Sequence, residues 1–133
     1  IEELKAAYVY AIDAITKDPS RIDSLLALFV DEICVDYGPF GIFRGKEDIR
    51  SLFQVTVPTN AVWSFHVASH PILVINGARG TGVWKVVSGG VLTGDPTRVQ
   101  QFYATYQDEY VKTARGWKFK VIKVLFDTPP TSP

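Results

Sequence analysis

Residues 25–49 read LLALFVDEICVDYGPFGIFRGKEDI, and within this stretch the apolar pattern changes from helical to extended. The helical spacing at its start predicts a helix over residues 19–29, with Asp18 as the N-cap and a proline in the first position. Residues 33–37 then form a short strand that ends at Gly-Pro, and residues 40–44 return as the second arm of a hairpin. A helix followed directly by a hairpin favours an α+β fold.

The flanking sequence extends this pattern in both directions. Apolar residues recur at helical spacing over residues 1–17, and a further helix is predicted over residues 45–53. The glycine-rich stretch 88–96 is predicted as a turn between two strands. Three helices therefore precede a run of long strands, which suits a strongly curved sheet that wraps over the helices and leaves an interior pocket. The predicted strands are residues 61–75, 79–88, 97–113 and 116–126.

Length and charge limit the classes of function. The chain has 133 residues, of which 47% are hydrophobic, so we expect one domain over residues 1–127 and a flexible, proline-rich tail over residues 128–133. Its 14 basic and 14 acidic residues balance and the basic residues are scattered, which argues against a nucleic-acid partner. No apolar run approaches the length of a membrane span, so no membrane partner is expected.

Cofactor and metal sites are not indicated by any motif. No glycine-rich phosphate loop follows a strand, so no cofactor is expected. His66 and His70 lie on one predicted strand, where a spacing of four residues is roughly 13 Å, too far for one metal ion. The single cysteine, Cys34, excludes an intrachain disulfide, and no signal peptide is evident. These features predict a cytoplasmic protein without metal or cofactor.

Several ordered segments resemble the SnoaL-like family of the NTF2-like superfamily. They are LLALFVDE (25–32), VDYGPFG (35–41) and RGKEDI (44–49), followed by residues 74–84 and 110–117. The resemblance implies an α+β cone, in which three N-terminal helices pack in a strongly curved, mixed and mainly antiparallel sheet around a pocket for a small apolar or cyclic molecule. It is nearest to the branch of scytalone dehydratase, bile-acid 7α-dehydratase and the lindane dehydrochlorinase.

The resemblance also implies site residues. In that branch a histidine abstracts a proton and an aspartate of the first helix orients it; His66 and Asp13 stand at these positions. Tyr8 and Tyr37 match tyrosines of the two dehydratases, and we expect them to contact the substrate together with Trp84. The implied activity is a lyase that needs no cofactor and eliminates water or a halide by histidine–aspartate general base catalysis.

The strand pattern around His66 permits two interpretations. Ser64, His66 and Ala68 share one face of the strand and leave space, as a pocket wall would, whereas Phe65 and Val67 share the other with Trp63. The bulky second face is predicted to be packed. A histidine on the open face suits a general base, because imidazole titrates near pH 6.5. The spacing alone favours a structural histidine bonded to a backbone carbonyl, and the resemblance favours the base.

The helix and tyrosine positions are also open from the sequence. On a helical wheel Asp13 lies opposite the most apolar side, which by itself indicates solvent, yet its neighbours on that side are apolar and indicate burial. Tyr8 and Tyr37 each suit either a core tyrosine with its hydroxyl at a rim or a donor to a substrate oxygen.

Other functions remain alternatives. The same pocket suits a non-catalytic ligand-binding or accessory domain, or a cyclase, isomerase or epoxide hydrolase. The isomerase is disfavoured because Tyr37 stands where the related ketosteroid isomerase has its aspartate base, and residues 82–85 lack the second histidine of scytalone dehydratase. We also expect a homo-oligomer, a trimer or a dimer, formed through a face of the strand at residues 97–113.

Overall fold

The fold is described by a computed structural model covering residues 1–127, so the tail predicted at residues 128–133 lies outside the described residues. Single turns of 3-10 helix cover Pro19–Arg21 and Gly38–Phe40. None of the helices in the described part of the chain has the length and apolarity needed to cross a bilayer. The elements run in the order α1 (Glu2–Lys17), α2 (Ile22–Leu26), β1 (Phe29–Asp36), β2 (Ile42–Arg44), α3 (Gly45–Ser51), α4 (Val57–Asn60), β3 (Ala61–Asn76), β4 (Arg79–Leu92), β5 (Asp95–Thr113) and β6 (Gly116–Phe126).

All six strands form one open sheet in the order β2-β1-β6-β5-β4-β3. The pairing of β1 with β6 is parallel and the other pairings are antiparallel, so the sheet is mixed and mainly antiparallel. The helices pack against one face of this sheet, with α1 alongside β3. The predicted α+β architecture with a mixed sheet over N-terminal helices is confirmed.

The second predicted helix is too long. It ends at Leu26 instead of residue 29, and Phe29 is the first residue of β1. The reason is tertiary: Phe29 pairs with Phe119 of β6, and the Phe119 amide donates to the Leu28 carbonyl at 2.9 Å. A strand partner 90 residues away thus overrides the local helical spacing.

The boundaries around residues 45–60 and 88–96 also differ from the prediction. Helical structure continues past residue 53 as a π-helical turn over Leu52–Thr56 and then as α4, which has Pro58 in its first turn. The glycine-rich stretch is mostly strand, because Gly89 pairs with both Phe65 and Gln101. The turn itself is made by Thr93 and Gly94.

The outer face of the sheet is exposed and apolar, which corrects the prediction that the Phe65 side of β3 is packed. Phe65 is 54% exposed and Val67 is 46% exposed, because the helices cover only the opposite face. Val67 lies beside Val87 on β4, and Val87 lies beside Tyr103 on β5, so apolar side chains continue across neighbouring strands. We call this the outer face; its exposed apolar residues are Phe65, Val67, Ile72, Val74, Val83, Val87, Val99, Tyr103 and Leu125.

A buried ion pair joins α1 to β5 inside the core. Lys5 Nζ lies 2.9 Å from Asp108 Oδ2, and both side chains are at most 1% exposed. Nζ also lies 3.4 Å from the ring centroid of Tyr106. Burial lowers the pKa of Lys5 to about 8 and raises the pKa of Asp108, each against the attraction of the other group. Tyr110 donates to Asp108 Oδ2 at 2.7 Å and accepts from Trp84 Nε1 at 2.9 Å.

Removing one partner of this pair should destabilise the fold more than removing both. In Asp108→Asn the Lys5 amino group stays buried without its counter-charge, so it must either remain charged and unpaired or lose its proton. We expect a loss of about 3–5 kcal/mol of unfolding free energy, measured by urea denaturation. The double variant Lys5→Met/Asp108→Leu removes both charges and should recover most of that loss. A double variant as unstable as Asp108→Asn alone would contradict this account.

Candidate active site

A cavity of about 800 Å³ lies between the helices and the inner face of the sheet. Its deep part includes the buried residues Tyr8 and Tyr106, and exposed lining residues on α4 and in the β4–β5 turn mark its open end. Most of the wall is apolar. The lining includes Tyr8, Ile12, Thr16, Tyr37, Leu52, Phe53, Val57, Ser64, His66, Val86, Leu92, Asp95, Ala104, Tyr106, Val124 and Phe126.

Asp13 and His66 are in direct contact between α1 and β3, where His66 lines this cavity and both residues line a smaller groove of about 450 Å³. Asp13 Oδ1 lies 2.6 Å from His66 Nδ1, and Asp13 Oδ2 accepts the His66 backbone N–H at 2.9 Å. Ser64 Oγ donates to Asp13 Oδ1 at 3.0 Å and lies 2.9 Å from Thr16 Oγ1. The side chains of Asp13 and His66 are 20% and 21% exposed. Of the two readings of Asp13, partial burial against β3 is therefore the observed one.

This geometry fixes the tautomer of the neutral His66. An ionised carboxylate only accepts hydrogen bonds, so Nδ1 carries the proton that is shared with Asp13 Oδ1. Nε2 is then unprotonated, and it has no hydrogen-bond partner among residues 1–127. Because His66 lines the cavity, its unprotonated Nε2 is the ring atom that can accept a proton from a bound molecule, while Nδ1 stays hydrogen-bonded to Asp13.

Three tyrosines meet in the deep part of the cavity. Tyr8 Oη lies 2.7 Å from Tyr37 Oη, and the Tyr8 ring packs edge-on against Tyr106 with centroids 5.8 Å apart. Burial is the largest cause that raises the pKa of each of these hydroxyls. All three therefore stay protonated near neutral pH and act as hydrogen-bond donors.

One residue, Trp84, lies elsewhere than the sequence suggested, whereas His70 lies on β3 with His66, as expected. Trp84 does not line the large cavity in the described structure: its indole N–H is bonded to Tyr110, and its ring lies beside a smaller groove of about 450 Å³ between α1 and β3. Trp84 therefore does not lie with Tyr8 and Tyr37 in the cavity where all three were expected to contact the substrate. His70 is exposed beside Pro71, where β3 has an irregular register and a positive φ of 54°.

The family model of the SnoaL-like domain matches residues 1–123. The chain belongs to the SnoaL-like family. No curated protein matches it in sequence. The match covers nearly all of the described residues, including both members of the Asp13–His66 pair.

Several solved structures are similar to this SnoaL-like chain. A protein of Novosphingobium aromaticivorans, whose name assigns it to the aromatic ring hydroxylases, has a TM-score of 0.83 and 24% identity over 96% of this chain and 87% of its own. A second protein of that organism, assigned by name as a scytalone dehydratase, has a TM-score of 0.82 and 21% identity over 96% and 81%. The hexachlorocyclohexane dehydrochlorinase of Novosphingobium barchaimii has a TM-score of 0.75 and 20% identity over 93% and 86%. These likenesses show the fold.

Sequence reasoning missed four polar residues around the site. The strand pattern places Ser64 on the same face as His66 but indicates no role for it, and no pattern singles out Thr16. In the structure both contribute hydroxyls beside Asp13. Tyr106 and Lys5 were also missed, although signals existed: Lys5 shares a helical side with Tyr8, and Tyr106 alternates with Ala104 along β5 in the manner of an inward face.

The raised tyrosine pKa values can be tested by titration. Four of the six tyrosines, Tyr8, Tyr37, Tyr106 and Tyr110, have a raised pKa in the folded chain, so each keeps its proton at a pH where free tyrosine ionises. At about pH 11 the ultraviolet absorbance of tyrosinate in native protein should correspond to no more than two residues. The urea-unfolded chain, in which all six titrate, is the control. Ionisation of more than two tyrosines while the fold persists would contradict the assignment.

Proposed function

We propose that this SnoaL-like protein is a lyase that needs no cofactor and eliminates water from a small cyclic substrate. The observation that carries the proposal is His66, which lines the large cavity, contacts Asp13 through Nδ1 at 2.6 Å and has no hydrogen-bond partner for Nε2 among the described residues. A neutral imidazole whose other ring nitrogen is hydrogen-bonded to a carboxylate suits general base catalysis.

In the proposed reaction, His66 Nε2 takes a proton from a carbon next to a carbonyl group. The C–H electron pair becomes part of a new C=C bond, the neighbouring C–O bond breaks, and the leaving hydroxide takes the proton back from His66 as water. Asp13 stabilises the imidazolium that exists between these two steps, because its carboxylate lies within hydrogen-bond distance of Nδ1. Atoms and charge balance without any further reactant.

The tyrosines support proton abstraction from a carbon next to a carbonyl group. Proton abstraction places negative charge on the carbonyl oxygen, and buried hydroxyl donors stabilise such charge when they are already oriented. Tyr8 and Tyr37 are oriented by their mutual contact at 2.7 Å. Elimination of a halide by the same base is the alternative within this class of reaction.

Substitution of the proposed base should abolish turnover. On a panel of cyclic β-hydroxy ketones, followed by the absorbance of the conjugated enone product, His66→Gln should lose a factor of about 10²–10⁴ in kcat. Asp13→Asn should lose less, since the base remains but its cation is not stabilised. His70→Gln is the matched control, because His70 lies exposed on the same strand and outside the cavity.

Activity retained in both His66→Gln and Asp13→Asn would end the lyase proposal. Tight binding of panel members without turnover by the unsubstituted protein would favour the second function, a non-catalytic ligand-binding domain that uses the same cavity. Circular dichroism of each variant separates loss of chemistry from loss of fold.

We also propose that the outer face binds a second copy of this chain. The face carries exposed apolar side chains on four strands, and a contiguous apolar patch of this kind is typical of a protein–protein interface. Its rows run from Val67 through Val87 to Tyr103, with the stacked rings of Trp63 and Phe65 at the edge. Burial of this face would remove a large apolar area from water.

A charge placed on the outer face should separate the copies. We expect Val87→Lys to reduce the mass measured by light scattering to that of one chain of 14.8 kDa. Val55→Lys is the matched control: Val55 is 64% exposed, more than the 47% of Val87, but lies in the π-helical turn away from the sheet. An unsubstituted protein that is already a monomer would contradict the proposal, and its mass otherwise distinguishes a dimer from a trimer.

A further inference from the structure

The charges around the large cavity are one-sided. None of its described lining residues is a lysine or arginine, and residues 128–133 of the sequence include neither. The one acidic residue among its described lining residues is Asp95, and Asp13 lies behind the lining residue His66, at 2.6 Å from its Nδ1. An anionic ligand group would therefore enter a largely apolar space without a counter-charge, at a large desolvation cost.

The deep end of the cavity offers a hydrogen-bond donor. The hydroxyls of Tyr8, Tyr37 and Tyr106 carry three protons between them, and Tyr8 Oη contacts Tyr37 Oη at 2.7 Å. That contact uses one proton, so at least one proton of the group remains for a ligand. A carbonyl or ether oxygen, which accepts and does not need to donate, satisfies that proton.

The open end offers acceptors instead. Thr59 Oγ1 donates its proton to the Val55 carbonyl at 2.6 Å, and Asn60 Nδ2 donates to the Thr56 carbonyl at 2.8 Å. Asp95 Oδ1 accepts from Thr97 Oγ1 at 3.3 Å, and the Asn60 side-chain oxygen and Asp95 Oδ2 have no donor among the described residues, so both can accept from a ligand. The two sides of this opening are joined by the Thr93 amide, which donates to the Asn60 carbonyl at 3.0 Å.

We infer that the cavity takes an uncharged or cationic amphiphile in one orientation. Its apolar ring body lies between the two ends, its oxygen acceptor points to the tyrosines, and a hydroxyl or ammonium donor lies at the opening beside Asp95. Carboxylates, sulfates and phosphates are excluded. The volume of about 800 Å³ suits a body of two or three fused rings. This inference deepens the proposed function by giving the class of its substrate.

Three acetylnaphthalenes that differ in one substituent on the far ring test the inference. They carry a hydroxymethyl, an aminomethyl or a carboxylate group, and their dissociation constants are measured by isothermal titration calorimetry near neutral pH. The carboxylate should bind at least about ten-fold more weakly than the hydroxymethyl compound, and the aminomethyl compound at least as tightly as the latter.

Two substitutions at Asp95 test whether its charge sets the preference among the three compounds. Asp95→Asn should weaken the aminomethyl compound by a larger factor than the hydroxymethyl compound, because an amide oxygen still accepts from a hydroxyl but supplies no negative charge. Asp95→Lys should bring the carboxylate to within a few-fold of the hydroxymethyl compound. Glu3→Gln, which removes an exposed carboxylate in the first turn of α1, is the control and should change none of the three.

Equal or tighter binding of the carboxylate by the unsubstituted protein would overturn the inference, as would failure of both other compounds to bind. Neither result bears on catalysis, because binding is measured without turnover. Conversely, loss of the lyase proposal through the His66 and Asp13 variants would leave the charge preference of the cavity standing.

Discussion

Helix α1 carries two charged side chains toward the sheet, and the cavity depends on how the sheet satisfies them. Lys5 is paired with Asp108 of β5, and Asp13 accepts hydrogen bonds from Ser64 and from the side chain and backbone of His66 on β3. Eight residues of helix, about 12 Å, separate the two anchors. Together they fix both the rotation of the helix and its position along its axis, since neither charge tolerates burial without its partner.

The position of α1 sets the geometry of the site. Tyr8 lies between the two anchors, so its hydroxyl is held against Tyr37, and its ring against Tyr106. Asp13, the second anchor, is also the residue behind the proposed base. One carboxylate thus both holds the helix on the sheet and sets the tautomer of His66.

The two faces of the sheet are used differently. The inner face closes over the helices and bears the cavity, where small residues such as Ser64 and Ala104 leave room. The outer face is apolar but uncovered, with Val87 at 47% exposure in the middle of the sheet. A bulky apolar strand face has the same sequence pattern whether it packs in a core or lies at an interface, which is why the sequence predicted packing for Phe65 and Val67.

The order of helices and strands and the α+β class follow from the sequence alone. The pairing of Asp13 with His66 and the positions of the tyrosines follow from the family resemblance. These follow from local periodicity and from an ordered set of motifs. Four features become visible only in the folded chain. They are the start of β1, the burial of Lys5, the hydrogen bond of Trp84 to Tyr110, and the separation of hydrogen-bond donors and acceptors between the two ends of the cavity. Each of these depends on a partner far along the chain, such as Phe119 for Phe29 or Asp108 for Lys5. Local patterns carry no information about such partners, because side-chain periodicity reports which residues share a face but not what that face meets.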